Sequence, residues 1–315
     1  MTPLVKALAV GAFRYAQQPG ATWRIGDAEP AKTGLRNWLL DGTGYSNVFI
    51  DISGEITIEC IDDSWAQANA SDLVANREAA IESLLPRQNS TYSNRSVAWP
   101  FITSYYSAYF AAQSFLRCLG LGSIYLEARE ASLLTAAWNA RGFALSLPAH
   151  NYGFVVELST PAKIRLRKLG TTGGAHQQFW TGFRQSQNAI HKVLLVEPGL
   201  DSLSTTQRQA ADAEYGKLVQ VCFTDASTVP ASLNFTWLAN LRNDVNYRFS
   251  GHVWLMNWRH SAGLVTNHQT LIDRYSNSLR LLPESQRNFS KNHLVFVAAR
   301  FCQLIRDATS NLAVP

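Results

Sequence analysis

Trp99-Pro100-Phe101-Ile102-Thr103-Ser104-Tyr105-Tyr106-Ser107-Ala108-Tyr109-Phe110-Ala111-Ala112-Gln113-Ser114-Phe115-Leu116 is the stretch on which the fold reading turns. Pro100 suits the first turn of a helix, where its missing N–H costs nothing. Tyr105, Tyr109, Ala112 and Leu116 then fall on one face at i, i+4, i+7 and i+11. Ser107, Ala108, Ala111 and Ala112 are small enough for a second helix to approach closely, and Gly120 closes the run.

Upstream, residues 87–98 are polar and loop-like, and a helix is expected from about Asn76 to Leu85, ended by Pro86. Further back, Val48-Phe49-Ile50-Asp51-Ile52 and Glu55-Ile56-Thr57-Ile58-Glu59 alternate with period two around Ser53-Gly54. That pattern predicts a β-hairpin. With Gly26, Pro30, Gly34, Gly42 and Gly44 around it, the segment to about Ala75 reads as a small β-containing appendage. Met1–Phe13 reads as an amphipathic helix, its apolar run being short for a signal peptide and followed by Arg14 without a small-x-small cleavage site.

Downstream, an Ala- and Leu-rich helix is expected from about Ile124 to Arg141. Residues 143–200 are mixed: Phe154–Leu158 and Lys163–Arg167 read as strands and 179–196 as partly helical. Helices return at Thr205–Val221, Phe235–Asn257 and His293–Ala308. The fold class is therefore mainly α, with a β appendage over 1–75 and a mixed insertion near 143–200 in a helical domain over 76–315.

Apolar residues make up 46% of the 315, which allows a large core, and only 16% are charged, which argues against a disordered chain. Nine Trp and eleven Tyr exceed what a core of this size needs, so some are expected at an interface or groove. A net charge of +5 suits an anionic partner such as RNA without requiring one. Cys60, Cys118, Cys222 and Cys302 are widely spaced and form no C-x-x-C pair. They fit a reducing compartment, hence a cytoplasmic location, and show no zinc site. No stretch reaches the roughly 18 apolar residues of a membrane span, so no membrane partner is expected.

Ser104–Ala112 resembles the first long helix of HEPN-superfamily proteins, where a Tyr-Tyr-small-small-aromatic-x-Ala-Ala pattern is typical. Leu241-Arg242-Asn243-Asp244-Val245-Asn246-Tyr247 is similar to the family's second element, and Leu294–Ile305 to its closing helix, in the right order. The resemblance implies a HEPN-like helical bundle. It also implies an RNA-acting protein: a metal-independent endoribonuclease of toxin–antitoxin or anti-phage systems, or a non-catalytic subunit that binds nucleic acid or a protein partner. Homodimers are common in the family, and no cofactor is implied.

Active members carry an Arg and a His with four to six residues between them. The His moves protons between the ribose 2′-OH and the leaving 5′-oxygen, and the Arg grips the phosphate. Here Arg242 is followed at the fifth position by Tyr247, a poor base at neutral pH. Arg242, Asn243, Asn246 and Tyr247 can therefore hold a phosphate or lock helices together. Arg287-Asn288-Phe289-Ser290-Lys291-Asn292-His293 does satisfy the spacing, with His293 opening the last helix. Composition alone supplies roughly one to two such matches, and Arg184…His191 is another.

Lys163, Arg165 and Arg167, with Lys168 adjoining and Thr171-Thr172-Gly173-Gly174 beyond, suggest a basic strand edge that could follow a phosphate backbone. The alternative is a solvated strand face opposite Ile164 and Leu166. Trp254, Trp258, Arg259 and His260 are placed to stack bases or to continue a helix core. A third functional reading is a structural domain of a larger assembly.

Overall fold

Four stretches of alternating sequence build one antiparallel sheet together with a fifth strand that the sequence disguised. In the computed structural model, β1 (Tyr45–Ile50), β2 (Ile56–Cys60), β3 (Leu121–Leu126), β4 (His150–Glu157) and β5 (Lys163–Lys168) lie in the order β1-β2-β5-β4-β3. The structure describes residues 1–17, 34–84, 98–143, 145–170, 173–225, 232–247 and 291–310. These are mostly helical. The helices are α1 (Pro3–Ala16), α2 (Leu35–Asp41), α3 (Ser64–Leu84), α4 (Ala98–Cys118), α5 (Ala128–Ala140), α6 (Ala175–Gln185), α7 (Gln187–Leu195), α8 (Thr205–Phe223), α9 (Trp237–Tyr247) and α10 (Lys291–Ser310). A short pair, β6 (Thr224–Asp225) and β7 (Ser232–Leu233), follows α8.

The chain divides into two units, whose boundaries fall within α3, α4, α8 and α10. The first comprises Met1–Ala75, Gln113–Asp212 and Asp307–Pro315. Its sheet joins the N-terminal hairpin to the strands of the 143–200 segment, because β2 pairs with β5 in the register Ile58↔Ile164 and Ile56↔Leu166. Those four residues are buried on one face, so the sheet's pairing follows its apolar side. The expected hairpin is present, but Ser53-Gly54 is only part of its turn. Ile50 pairs with Ile56, and the Asp51 carboxylate accepts hydrogen bonds from Ser53 N, Ser53 Oγ and Glu55 N. Gly54 takes a positive φ of 83°.

Two helix starts differ from expectation. α3 begins at Ser64, not near Asn76, with the Asp62 carboxylate accepting from Ser64 N. Its early inward positions are filled by Trp65, Ala66, Ala68, Asn69, Ala70, Ser71 and Leu73, so small and polar residues interrupt the apolar stripe. The helix expected from Ile124 starts at Ala128. Leu121–Leu126 pairs instead with β4, and Glu127 and Glu130 form a reciprocal cap at the helix start.

Arg117 is the polar centre of this first unit. It is 3% exposed and pairs with Asp72 at 2.9 Å. It donates to Ser123 O at 3.3 Å and lies 4.4 Å from the Phe154 ring centroid. Asn69 Nδ2 donates to both Tyr15 O and Arg117 O, tying α1, α3 and α4 together. Trp38, Trp65, Trp138 and Trp180 are buried here, and Trp138 Nε1 donates to Tyr45 Oη at 2.9 Å.

The second unit comprises Asn76–Ala112 and Ala213–Arg306. The small residues of α4 admit its neighbours as expected. Ser107 Oγ donates to Ala80 O at 2.8 Å and meets Cys302 Sγ at 3.0 Å. Trp237 Nε1 donates to Cys222 O, and Phe223 stacks on Phe235 at 4.4 Å. Trp237 is buried too, so the five tryptophans whose side chains are described belong to cores rather than to an exposed groove. All four cysteines are free and buried. No helix among the described residues is long and apolar enough to cross a membrane.

Candidate functional site

α9 buries Trp237, Leu238 and Ala239 and leaves Leu241, Arg242 and Asn243 half-buried. Asn234 opens it: its carboxamide oxygen accepts from Thr236 N and Thr236 Oγ1. This orientation carries Arg242 to α4. Its Nη2 donates to Tyr106 Oη at 3.0 Å, and its Nη1 donates to Asn243 Oδ1 at 3.0 Å. The guanidinium carbon lies 5.9 Å from the Tyr106 ring centroid.

Two stretches far apart in the sequence thus meet, 136 residues separating the two side chains. An arginine held by two oxygens has a fixed plane, which favours the forked recognition of a phosphate. Tyr106 Oη and Asn243 Oδ1 thus both accept from the one guanidinium.

Asn246 and Tyr247 lie in the last turn of α9, but their side chains are outside those described, as are Arg287, Trp254, Trp258, Arg259 and His260. His293 lies in the first turn of α10, which Lys291 opens. It is 4% exposed, with its ring 5.1 Å from that of Trp237 and 6.3 Å from that of Phe296. Burial lowers its pKa from 6.5 to about 4, opposed by a backbone hydrogen bond at Val221. The ring is neutral at pH 7. Its setting is that of a core histidine, and the described contacts take Arg242 to Tyr106 rather than to His293.

The basic strand takes a different place from the one expected. β5 lies between β2 and β4, so it is not a sheet edge. Lys163 pairs with Glu59 at 3.0 Å, and Arg165 pairs with Glu55 at 3.1 Å and Glu157 at 2.9 Å. Cross-strand register sets these acids opposite the bases: Glu59↔Lys163 on one side and Glu157↔Lys163 on the other. Arg167 and Lys168 are exposed. The strand therefore carries a mixed-charge ladder.

Elsewhere, His191 Nδ1 meets Asp212 Oδ1 at 2.5 Å, and Arg208 donates to Leu194 O, Val193 O and Glu197 O at the end of α7. The Arg208 set completes a helix C-terminus. Among the described residues, no group of three or more His, Cys, Asp and Glu side chains is placed to hold a metal ion. The role of Tyr106 was missed in the sequence. It was visible as a motif residue, but nothing in the pattern said which tyrosine of the pair would take Arg242. The chain matches no protein-family model, no curated protein and no solved structure.

Proposed function

We propose that this chain is a HEPN-like, RNA-acting helical protein, and that it binds RNA through the phosphate backbone at Arg242. The observation that carries this reading is the fixing of Arg242 by Tyr106 and Asn243, which joins the Tyr-rich helix to the Arg-Asn helix. The positive charge balance and the order of the three motifs support it. The non-cleaving form of the activity is the better supported. A 2′-OH cleavage reaction needs a base near the arginine, and His293 is enclosed by Trp237 and Phe296 with a pKa of about 4. Cytoplasmic action within a toxin–antitoxin or anti-phage system is part of the same proposal and rests on the family resemblance.

The test is incubation of the protein with tRNA and total cellular RNA in EDTA, followed by gel shift and by a denaturing gel. Wild type is expected to shift RNA, Arg242→Ala to lose the shift, and neither to shorten the RNA. Cleavage by wild type that disappears in His293→Ala would replace the binding reading with that of a metal-independent endoribonuclease. No shift at micromolar protein, with the chain folded, would refute the RNA-acting reading itself.

A further inference from the structure

β1 is one edge of the five-stranded sheet, and its sequence Tyr45-Ser46-Asn47-Val48-Phe49-Ile50 holds no charge and no proline. Sheet edges are ordinarily guarded by charged residues, proline, bulges or a covering element, because their unpaired N–H and C=O groups accept another strand. The start of β1 is guarded in this way. A register irregularity lies between Tyr45 and Asn47, and Arg141 donates to Tyr45 O at 2.8 Å and to Ser46 O at 3.2 Å. Beyond Ser46 no such guard is present among the described residues. Asp51 N donates to Glu55 O, which sets the alternation of the hairpin ladder. Asn47 and Phe49 bond to β2, and the backbone groups of Val48 and Ile50 face away from it. Apolar side chains are exposed along the same stretch, Phe49 at 51%, Ile50 at 48% and Ile52 in the turn fully.

We propose that this edge pairs with β1 of a second copy of the chain, antiparallel, about a twofold axis between the two Phe49 residues. In that register Phe49 lies opposite Phe49, and Val48 of each copy lies opposite Ile50 of the other. The twofold axis makes the edge its own complement, since each outward N–H then meets an outward C=O. Charge favours the same occupant. Placing Phe49 on the axis sets Asp51 opposite Asn47, so each hairpin tip runs past the start of the other copy's β1, where the exposed Arg141 stands. An acid and a base thus approach at each end, and the uncharged strands bring no like charges together. The pair on the axis is aromatic on aromatic, and it shields from water the rings that a single chain leaves exposed.

The experiment is sedimentation velocity of the full chain at roughly 1 to 100 µM, the span in which a small interface dissociates. Wild type is expected to move towards twice the 35.0 kDa of one chain as concentration rises. Phe49→Lys, at an exposed position, should stay monomeric with an unchanged circular dichroism spectrum. Phe49→Cys reads the register. Opposed residues of a non-hydrogen-bonded pair lie about 4.5 Å apart at Cα, within the span of a disulfide. The native cysteines are buried, so oxidised glutathione should link Phe49→Cys chains into covalent dimers and leave wild type and Ser53→Cys unlinked. A wild type that stays monomeric throughout that range would overturn the proposal. So would a dimer that persists in Phe49→Lys, which would place the contact elsewhere, or one linked through Ser53→Cys instead, which would place it in another register.

Discussion

Replacing Arg117 by methionine removes a charge from the first unit while keeping much of its volume. The guanidinium is 3% exposed, pairs with Asp72 at 2.9 Å and donates to Ser123 O at 3.3 Å. Burial pushes its pKa down and Asp72 opposes that shift, and the guanidinium stays charged. Breaking a buried pair costs about 3–5 kcal/mol when the remaining charge is stranded. Asp72 is 24% exposed and still accepts from Leu35 N at 3.2 Å, so water and that amide relieve part of the loss. The stranded Ser123 carbonyl adds about 1 kcal/mol or more. Contact between the methionine thioether and Phe154 returns a fraction of the cation–π contribution. The sum for Arg117→Met is a destabilisation of about 3 kcal/mol. Asp72→Asn leaves the guanidinium uncompensated and is expected to cost at least as much. The double variant should cost clearly less than the two single variants added, with a coupling of about 2 kcal/mol. Urea unfolding at pH 7 measures all four forms, each unit being allowed its own transition. A loss below about 1 kcal/mol for Arg117→Met, or additive effects in the cycle, would refute the argument that this pair is the polar centre of the unit.

Acid should weaken the second unit through His293. Its folded pKa of about 4 lies below the ordinary 6.5, so the unfolded chain binds the extra proton between those values. Stability then falls as pH drops from about 6.5 towards 4, by about 3 kcal/mol for this group. The urea midpoint of wild type should therefore drop more between pH 7 and pH 4.5 than that of His293→Phe, and equal drops would contradict the burial argument. Gly120→Ala should destabilise the first unit by about 2–4 kcal/mol, combining an unfavourable backbone with crowding. Gly120 holds φ at +68°, and an added Cβ meets the Tyr15 ring. A thermal midpoint within a degree of wild type would count against it.

Where side-chain chemistry repeats at the period of the local backbone, the sequence could be read directly. α4 emerged from Pro100, its Tyr and Ala spacing and Gly120, and the hairpin from the alternation of residues 48–59. β3 did not, because Leu121, Ile124 and Leu126 run straight into an Ala- and Leu-rich helix and share its apolar spacing. The first half of α3 was hidden for another reason. Its buried positions include Asn69 and Ser71, satisfied by contacts such as Asn69 with Tyr15 O and Arg117 O that no local pattern foretells. The site divides in the same way. Arg242, Asn243 and the Tyr pair were visible as residues, but the bond from Arg242 to Tyr106 depends on how α9 packs on α4. Lys163 and Arg165 were visible as a basic alternation. Their neutralisation by Glu55, Glu59 and Glu157 depends on a strand register set by buried isoleucines.

The most direct measurement of the central claim is the salt dependence of single-stranded RNA binding by wild type and Arg242→Gln. Each phosphate neutralised contributes about 0.7 to the slope of log K against log salt for a single strand. If Arg242 grips one phosphate, Arg242→Gln should bind more weakly and with a slope smaller by about 0.7. Unchanged affinity and an unchanged slope in a folded Arg242→Gln would contradict the account, leaving Arg242 as a tie between α9 and α4 and nothing more.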